Sequence, residues 1–537
     1  MPNGLNKGTT FDFGILMANT ISITKPLVLL VSLVLVASMI TSTSLSGGYA
    51  AAQSNSTSNM SSASVTNASS LVKTQGESPY KFERGYPAPG TADRAYNDTD
   101  LGRAIEAYKF FYPTISLESL LQDISASLKP NQSAAKFAAG PRHQLLTANG
   151  DTPYGAGALD LKASGPTVIE MPPGTFIGFV DDHNFRWIVD LGVNGPDKGQ
   201  GGKYLILPPD YNGSVPAGYY TGRSDTWKAA LILRSLSTDG NTTKELDALD
   251  GIKVYPLAMA GEPFTFQFID LTNQPIHSKL LEREDNLNYW KELKAVLDSE
   301  TTPTQFRSMY GMLQSLGIEK GKPFNPDARM TSILEEAAKT ALAEMRVNAY
   351  ANREPVRIVW QDRNWEWLPL RQYNTTTKDL GVAAFQDLQA TDHFYFPAIG
   401  ASASIGKREA GNGSLYYVGL RDSTSAFLDG GKTYKLTVPT PVPGNLFWST
   451  TVYDVDTRSM IATDQDKAVL SSLFTKFQPN PDATIDLYLG PKAPAGKEDQ
   501  WIKTIPGKGW FVYFRIYGPE AAALDGTWKL NNIVEVK

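Results

Sequence analysis

The polar residues that could bind a ligand begin with a short string ahead of the first strand-like segments. Asn149, Asp151 and Tyr154 stand within the six residues NGDTPY at 149–154. Their amide, carboxylate and hydroxyl groups could coordinate a cation or bind sugar hydroxyls. The alternative is an Asx-turn, in which such side chains only cap backbone groups. Both interpretations remain open from the sequence.

A tryptophan-rich string at 360–367 carries a second set of candidates. Trp360, Trp365 and Trp367 alternate with polar residues there, and the ligand-binding candidates among these are Asp362, Asn364 and Glu366. In a strand, Trp365 and Trp367 would share one face and Asn364 and Glu366 the other, with Trp360 on the polar face if the strand ran unbroken. We expect a ligand site here, at the junction of helices and two β regions. The alternative is aromatic packing between helices and sheets.

Two arginines beside aromatic residues complete the candidate set. Arg458 follows the string VYD at 452–454, and Arg515 precedes Ile516 and Tyr517. Each could be braced by a buried carboxylate, for which Asp454 and Asp486 are available, or could clamp the carboxylate of an anionic ligand. His183 is the only histidine that follows two consecutive acidic residues, and its string could serve base catalysis or simply face water.

Composition excludes several classes of chemistry. The 537-residue chain has no cysteine and four histidines, so thiolate nucleophiles, iron–sulfur clusters and cysteine-based zinc sites are excluded. No nucleophile-elbow, phosphate-loop or zinc-protease motif occurs, so no catalytic residue can be assigned. We expect no cofactor and no bound metal. With 55 acidic and 50 basic residues and no basic block, nucleic acid is not an expected partner.

The N-terminus has the pattern of an export signal. Residues 27–40 are almost wholly apolar, which is too short to cross a bilayer comfortably but typical of a signal-peptide core. Residues 1–52 are therefore a signal peptide or an uncleaved signal anchor. Residues 53–80 are rich in Ser, Thr and Asn, which indicates a disordered tether.

Nine Asn-x-Ser/Thr sequons indicate glycosylated surface loops, at Asn55, Asn59, Asn67, Asn97, Asn131, Asn212, Asn241, Asn374 and Asn412.

Hydrophobic periodicity predicts the elements that must position these residues. Helical stripes occur between 96 and 130, in two short helices separated at Pro113, and again between 278 and 352. Strand patterns between turn residues predict two β regions, at 167–171, 175–180, 186–191, 203–207, 229–234 and 263–270, and at 414–421, 433–439, 446–455, 484–490 and 510–518.

These patterns predict a mixed, β-rich fold. It has two antiparallel β-sandwich or jelly-roll-like domains joined by a helical block, preceded by an N-terminal hydrophobic helix. The predicted boundaries are 90–277 for a helical lead-in with the N-terminal β domain, 278–400 for a helical bridge, and 401–537 for the C-terminal β-sandwich.

Several strings in the two β regions resemble a known family. They include ALDL at 158–161 after NGDTPY, and LDGGKTY at 428–434, FWS at 447–449, TRSM at 457–460, DLYLGP at 486–491 and RIYGP at 515–519. The chain from about residue 90 onward resembles bacterial and archaeal proteins that pair domain of unknown function 1254 with domain of unknown function 1214. The resemblance implies β-sandwich domains joined by helices, and it implies no established activity or catalytic residues.

Two classes of function follow from the sequence. The first is an exported or membrane-tethered protein that binds a small-molecule or glycan ligand, or associates with the cell envelope, and contacts the membrane only through its N-terminal segment. The second is an extracytoplasmic hydrolase of carbohydrate or a related polymer. That enzyme would need paired carboxylates in one cleft, for which Asp362 and Glu366 are candidates.

Cell fractionation tests the predicted location. We expect the protein outside the cytoplasm, either released or held at the membrane by residues 27–40, because this segment has the length and composition of an export signal. Deletion of residues 27–40 should leave the protein in the cytosol. Intact wild-type protein in the cytosolic fraction, beside a cytosolic marker enzyme, would contradict the prediction.

Overall fold

The computed structural model describes residues 78–125, 128–236, 239–398, 400–411 and 413–537. The predicted N-terminal hydrophobic helix and most of the predicted tether lie outside these residues. Within this part of the chain, no helix is long and apolar enough to cross a membrane.

Eight α-helices occur in the described residues, as the helical stripes of the sequence predict in outline. Several apolar residues of these stripes are buried. They include Trp290, Leu293 and Leu297 in the helix Leu287–Ser299, and Ala341 and Met345 in the helix Ala328–Tyr350. The helices are α1 (Thr91–Ile124), α2 (Leu161–Ser164), α3 (Thr242–Leu249), α4 (Lys279–Arg283), α5 (Leu287–Ser299), α6 (Arg307–Ser315), α7 (Ala328–Tyr350) and α8 (Leu388–Tyr395).

Helix α1 corrects the prediction of two short helices separated at Pro113. It is a single helix of 34 residues with Pro113 in its interior. An interior proline costs about 3 kcal/mol, because it removes a backbone hydrogen bond and its ring clashes with the preceding turn. Tertiary burial offsets this cost: Tyr108 and Phe111 pack in the core of the helices, while Leu117 and Leu121 pack in the core shared with the sheets.

The N-terminal β region contains a six-stranded sheet, order β12-β3-β4-β10-β6-β7, and a four-stranded sheet, order β11-β5-β8-β9. Neighbouring strands are antiparallel except for β12–β3 and β8–β9, which are parallel. The strands of this region are β1 (Phe82–Glu83) and β2 (Tyr86–Pro87), which form a separate hairpin, and β3 (Ser133–Phe137), β4 (Tyr154–Asp160), β5 (Thr167–Met171), β6 (Phe176–Asp182), β7 (Trp187–Gly192), β8 (Gly202–Leu207), β9 (Tyr220–Arg223), β10 (Lys228–Ser235), β11 (Lys253–Pro256) and β12 (Gln267–Asp270).

The C-terminal β region contains sheets of five, four and three strands, in the orders β13-β17-β23-β19-β20, β22-β21-β18-β24 and β14-β15-β16. Only β21–β22 is parallel. The strands are β13 (Trp365–Trp367), β14 (Tyr373–Asn374), β15 (Asp379–Val382), β16 (Phe385–Gln386), β17 (Ser414–Gly419), β18 (Tyr434–Pro439), β19 (Trp448–Asp454), β20 (Val469–Ser471), β21 (Thr484–Gly490), β22 (Trp501–Lys503), β23 (Trp510–Tyr517) and β24 (Ile533–Glu535).

The β-rich fold with several sheets and helices confirms the coarse prediction. Most of the long strands fall where the sequence places them, because apolar and β-branched runs between turn residues specify buried strands. The seven-residue strand β4 was not predicted, since its Gly and Ala residues have low β-propensity. One sequon departs from its interpretation as a surface glycosylation site. Asn131 is buried, and its side chain donates a hydrogen bond of 2.9 Å to the backbone of Asp160 and accepts one of 3.0 Å from it.

A buried ion pair joins the C-terminal β region to the helices. Arg458 has no exposed surface, and its Nη2 lies 2.7 Å from Glu284 Oε1, just beyond α4. Tyr112 of α1 donates a hydrogen bond of 2.8 Å to Glu284 Oε2 and accepts one of 2.8 Å from Arg458 Nη1. The guanidinium carbon lies 4.4 Å from the centre of the Phe396 ring.

The bracing interpretation of Arg458 is therefore supported, but its predicted partners are wrong. Asp454 pairs with Lys508 at 3.1 Å and Asp486 with Lys435 at 3.3 Å. Glu284 is the partner because the turn after β19, which carries Arg458, lies against the helices. Local sequence patterns do not reveal this packing.

We expect Arg458→Met to lower the free energy of unfolding by about 3–5 kcal/mol, because it leaves the Glu284 carboxylate buried without a counter-charge. Urea unfolding followed by circular dichroism measures this change. Arg142→Met is the matched control, since its ion pair with Asp466 is exposed and should cost at most about 1 kcal/mol.

The double variant Arg458→Met with Glu284→Leu separates charge from packing. Removing both charges should recover part of the lost stability, because no buried carboxylate is left unpaired. A double variant less stable than Arg458→Met alone would show that the unpaired charge is not the cause.

Candidate ligand-binding site

A cavity of about 180 Å³ lies where the two β regions meet the helices. The N-terminal region contributes the segment 145–149 and strands β4, β6 and β10, and the C-terminal region contributes β17 and β23. Leu120 of α1 and Phe394 of α8 complete the wall from the helical side. Both β regions and the helices α1 and α8 therefore contribute to the wall.

The cavity wall is mostly apolar, with polar groups gathered at a few positions. Such a wall is typical of sites that hold an apolar body and orient it through a small number of polar contacts. The apolar lining includes Leu120, Phe137, Leu145, Ala156, Ile177, Phe179, Ile232, Leu368, Phe394 and Ile405, and the polar lining includes Asn149, Tyr154, Asn194, Arg234, Ser402, Ser404, Tyr416, Tyr513 and Arg515.

Arg515, on the central strand β23, is the more deeply buried of two arginines in the wall, with 1% of its surface exposed. It donates hydrogen bonds of 2.8 Å to Thr451 Oγ1 and 2.6 Å to the Tyr453 hydroxyl. Its Nε is buried without a hydrogen-bond acceptor among the described residues. The guanidinium also lies near the rings of Tyr416 and Tyr513, with its carbon 5.4 and 5.2 Å from their centres.

Arg234, at the end of β10, is the second arginine of the wall. Its Nε donates a hydrogen bond of 2.8 Å to Thr152 Oγ1, and its Nη2 lies 3.5 Å from the hydroxyl of Tyr517. Its guanidinium carbon lies 5.4 Å from the ring centre of Tyr154 and 5.8 Å from that of Tyr517. Arg234 is half-buried, so part of its side chain remains accessible.

The string at 149–154 lies against these arginines and is tied to β23. Asn149 accepts a hydrogen bond of 2.7 Å from the Asp151 backbone and donates one from its own backbone to the Tyr154 hydroxyl, at 3.0 Å. Asp151 Oδ2 accepts from Tyr517 at 2.9 Å and from Ser449 at 2.6 Å. The Asx-turn exists, but Asn149 closes it and the Asp151 carboxylate instead binds the C-terminal region.

Thr147 holds this segment in a strained conformation. Its φ is +38°, which a β-branched residue rarely adopts. Its backbone amide donates a hydrogen bond of 2.7 Å to the Arg458 carbonyl, and its own carbonyl accepts one of 3.4 Å from Arg515 Nη2. Hydrogen bonds to the buried residues Arg458 and Arg515 hold Thr147 in this strained conformation. The Thr147 carbonyl thereby meets the guanidinium of Arg515 in the cavity wall.

The predicted candidates divide into three groups. Asn149, Tyr154 and Arg515 line the cavity, and Asp151 lies directly behind them. Arg458 is in the structural ion pair described above. Asp362, Asn364 and Glu366 lie in the tryptophan-rich string, of which no residue lines the cavity, although the next two residues, Leu368 and Pro369, do.

The tryptophan-rich string is packed, not open. Trp365 is 1% exposed and donates from its indole to Asn531 O at 2.9 Å, while Asn364 binds the backbone of Asp422. The condition for placing Trp360 on the polar face is not met, because the strand covers only Trp365–Trp367. Trp360 instead packs on the same Tyr417 ring as Trp367.

The polar residues of this string do not share a cleft. Asp362 is exposed and pairs with Lys529 at 3.0 Å. Glu366 is 6% exposed, and burial raises its pKa to about 7 despite Arg357 at 3.8 Å. Glu366 is therefore a buried carboxyl of the sheet, and the expectation that it lines an open cleft is wrong, because both faces of β13 are covered.

His183 lies in a buried charge network, which overturns the alternative that its string faces water. His183, Asp181 and Asp182 have no exposed surface. His183 Nε2 lies 2.7 Å from Glu118 of α1, and Nδ1 lies 2.9 Å from Glu300, just beyond α5. Burial lowers the pKa of His183, but hydrogen bonds to the two carboxylates outweigh it and raise the pKa overall. The pKa of Glu118 falls to about 2, since the histidine and Lys228 outweigh its burial.

Sequence reasoning missed Arg234, Tyr416 and Tyr513. Arg234 ends the otherwise apolar strand AALILR, and a charged residue in a buried strand is itself a signal, because arginine is rarely buried without a partner. No sequence signal marks the two tyrosines, which resemble other aromatic residues of the sheet. In the described residues, no group of three or more His, Asp or Glu side chains is arranged to hold a metal ion.

We expect His183→Gln to lower the free energy of unfolding by about 3–5 kcal/mol near neutral pH, because buried Glu300 loses its counter-charge and Glu118 keeps only Lys228. Since the folded pKa is raised above the unfolded value of about 6.5, this contribution is full below that value. It is lost as the pH rises through the folded pKa.

Urea unfolding at a series of pH values between about 6 and 9 measures this dependence. The stability difference between wild type and variant should shrink toward alkaline pH. His277→Gln is the matched control, since His277 is exposed and its loss should cost little at any pH. A difference that grows with pH would contradict the assignment.

Comparison with known proteins finds two matching families. Two family models match the chain, each described as a protein of unknown function: domain of unknown function 1254 at residues 131–256 and domain of unknown function 1214 at residues 413–521. No protein of curated function matches the sequence. The cavity wall takes residues from both matched regions.

Among solved structures, the VPA0106 protein from Vibrio parahaemolyticus is 17% identical and aligns with a TM-score of 0.52 over 82% of this chain and 100% of its own. This likeness shows a shared fold. A putative uncharacterized protein from Burkholderia cenocepacia aligns over 83% of this chain and 97% of its own, at 12% identity and a TM-score of 0.36. The chain thus carries matches to both domain of unknown function 1254 and domain of unknown function 1214, in the order that its sequence predicts.

Proposed function

We propose that this protein binds a small, mostly apolar molecule in the cavity between its two β regions. The observation that carries the proposal is the cavity itself, of about 180 Å³ with a predominantly apolar wall. An engineered apolar protein cavity of ~150 Å³ binds benzene. A ligand of similar or slightly larger girth would fill the space and be oriented by the few polar groups of the wall.

The character of the wall favours this ligand class over a glycan. Sugars present hydroxyl groups on most of their surface, and burying these against apolar side chains without hydrogen bonds is costly. The wall offers polar groups mainly near Arg234 and Arg515 and near Ser402 and Asn194. A mostly apolar molecule with few polar groups matches this wall better.

Binding without catalysis is the form of the proposal that the wall supports best. The hydrolase alternative needs two carboxylates on either side of a scissile bond. No aspartate or glutamate is among the side chains that line the cavity within the described residues. Asp362 and Glu366 lie elsewhere, one exposed and the other buried in the sheet.

We further propose that binding takes place outside the cytoplasm, on a protein released from the cell or held at its membrane by residues 27–40. The composition of residues 1–80 supports this location. The sandwich or jelly-roll arrangement of each β region belongs to the same proposal, supported by the antiparallel pairing of most strands.

Thermal shift with neutral ligands tests the proposed function. Phenylacetamide and octanamide should raise the melting temperature of the full chain, since a ligand at 100 times its Kd stabilises by about 2.7 kcal/mol. Ile177→Phe should abolish the shift, because Ile177 is a half-buried residue of the cavity wall and the larger ring would occupy the cavity.

Ile269→Phe is the matched control. Ile269 is also half-buried in the six-stranded sheet but does not line the cavity, so this variant should keep the shift. Loss of the shift in both variants, or in neither, would contradict binding in the cavity.

A further inference from the structure

We infer that the ligand carries a carboxylate, which Arg515 and Arg234 bind at one end of the cavity. The inference rests on the proposed function and adds the chemical class of the ligand. It is carried by two arginines of the cavity wall that have no ionic partner among the described residues.

Among the described residues, each hydrogen-bond acceptor of the two guanidiniums is a neutral oxygen. For Arg515 these are the Thr451 hydroxyl, the Tyr453 hydroxyl and the Thr147 carbonyl. For Arg234 they are the Thr152 and Tyr517 hydroxyls. Buried cations are ordinarily paired, because taking an unpaired charge out of water is expensive. Arg515 is such a buried cation, and the half-buried Arg234 in the same wall also lacks a counter-charge. The two arginines together therefore point to an anion that completes the site.

An unsatisfied hydrogen-bond donor of Arg515 also indicates an anionic ligand. Arg515 Nε is buried and has no acceptor, although guanidinium donors in a protein interior are normally satisfied. The fixed fork of the guanidinium matches the two oxygens of a carboxylate. Arg515 and Arg234 both line the cavity, and Tyr517, whose hydroxyl contacts Arg234, lies two residues after Arg515 on β23 and so on the same face of that strand. The two cations therefore belong to one end of the cavity.

The local charge limits the ligand to a single negative charge. Asp151 lies beside both arginines, because its partner Tyr517 also contacts Arg234 and its partner Ser449 is paired with Arg515 across the sheet, but it forms no ion pair with either arginine. Asp151 Oδ2 is occupied by Tyr517 and Ser449. Two arginines and one aspartate leave one unbalanced positive charge. A carboxylate balances it, whereas a phosphate group brings a charge of about −1.5 to −2 and would leave an excess of negative charge.

The ligand class is accordingly a small monocarboxylic acid with an apolar body. The carboxylate binds Arg515 and Arg234, and the aliphatic or aromatic body fills the space bounded by Leu120, Ile232 and Phe394. Neutral molecules of the same shape bind the apolar part alone. This difference between acid and amide is what the experiment measures.

Titration calorimetry on the full chain compares octanoate with octanamide and phenylacetate with phenylacetamide. Within each pair the shape is nearly constant and only the charge changes. We expect each acid to bind about 10- to 100-fold more tightly than its amide, which is the range for hydrogen bonds to charged groups. Inorganic phosphate serves as the competing anion and should not displace either acid.

Arg234→Gln is the decisive variant, because Arg234 is half-buried and its loss leaves the strands intact. The acid-over-amide preference is the Kd of the amide divided by the Kd of the acid. Arg234→Gln should reduce this ratio to less than about one third of its wild-type value. Arg223→Gln is the matched control: it changes net charge equally but lies in an exposed position that binds the carbonyls of Pro208 and Tyr211. Arg515→Gln, checked for folding by circular dichroism, should have the larger effect.

The outcomes separate the inference from the proposed function. Equal binding of acid and amide in the wild type, or a preference unchanged by Arg234→Gln, would overturn the carboxylate assignment and leave binding in the cavity standing. Displacement of the acids by inorganic phosphate would also overturn it. Failure of acids and amides alike to bind would overturn both. A preference lost in Arg234→Gln and kept in Arg223→Gln supports the assignment.

Discussion

The buried pair of Arg458 and Glu284 is the constraint on which the arrangement of the described chain depends. An arginine with no exposed surface must meet a carboxylate, and the available one comes from the helices and not from its own sheet. The turn that carries Arg458 is thereby held against α1 and α4. The Arg458 carbonyl in turn holds Thr147, whose neighbours form one side of the cavity. One charge interaction therefore fixes both the packing of the helices and the shape of the site.

Much of the secondary structure could be predicted because it depends on local pattern. Strands such as Thr167–Met171 and Thr484–Gly490 have the predicted bounds, since a run of β-branched and apolar residues between turns has few alternatives. Helix α1 could not be predicted as one element, because its continuation through Pro113 depends on partners more than 150 residues away. The short strands β9, β20 and β24 were missed for the same reason: each is stabilised by a longer neighbour and carries little pattern of its own.

The candidate site shows the same division between local and distant information. Asn149, Tyr154 and Arg515 were identified from polar residues near aromatic ones, and the structure brings them together from positions more than 350 residues apart. Glu366 is also a polar residue between aromatic ones, yet both faces of its strand are covered. Sequence patterns show which residues are unusual for their element. They do not show whether a given face meets a cavity, a sheet or water, since that depends on how the elements pack.

Strand β13 has a consequence for how the C-terminal region can be handled in isolation. It pairs with β17 but lies before residue 413, where the match to domain of unknown function 1214 begins. A fragment cut at that boundary would lose this strand and leave the β17 backbone groups that face β13 without partners, although β17 would still pair with β23. An uncovered strand edge is a template for pairing between molecules. Such a fragment would therefore tend to self-associate through β17, and the smallest soluble form of this region must begin upstream of Trp360.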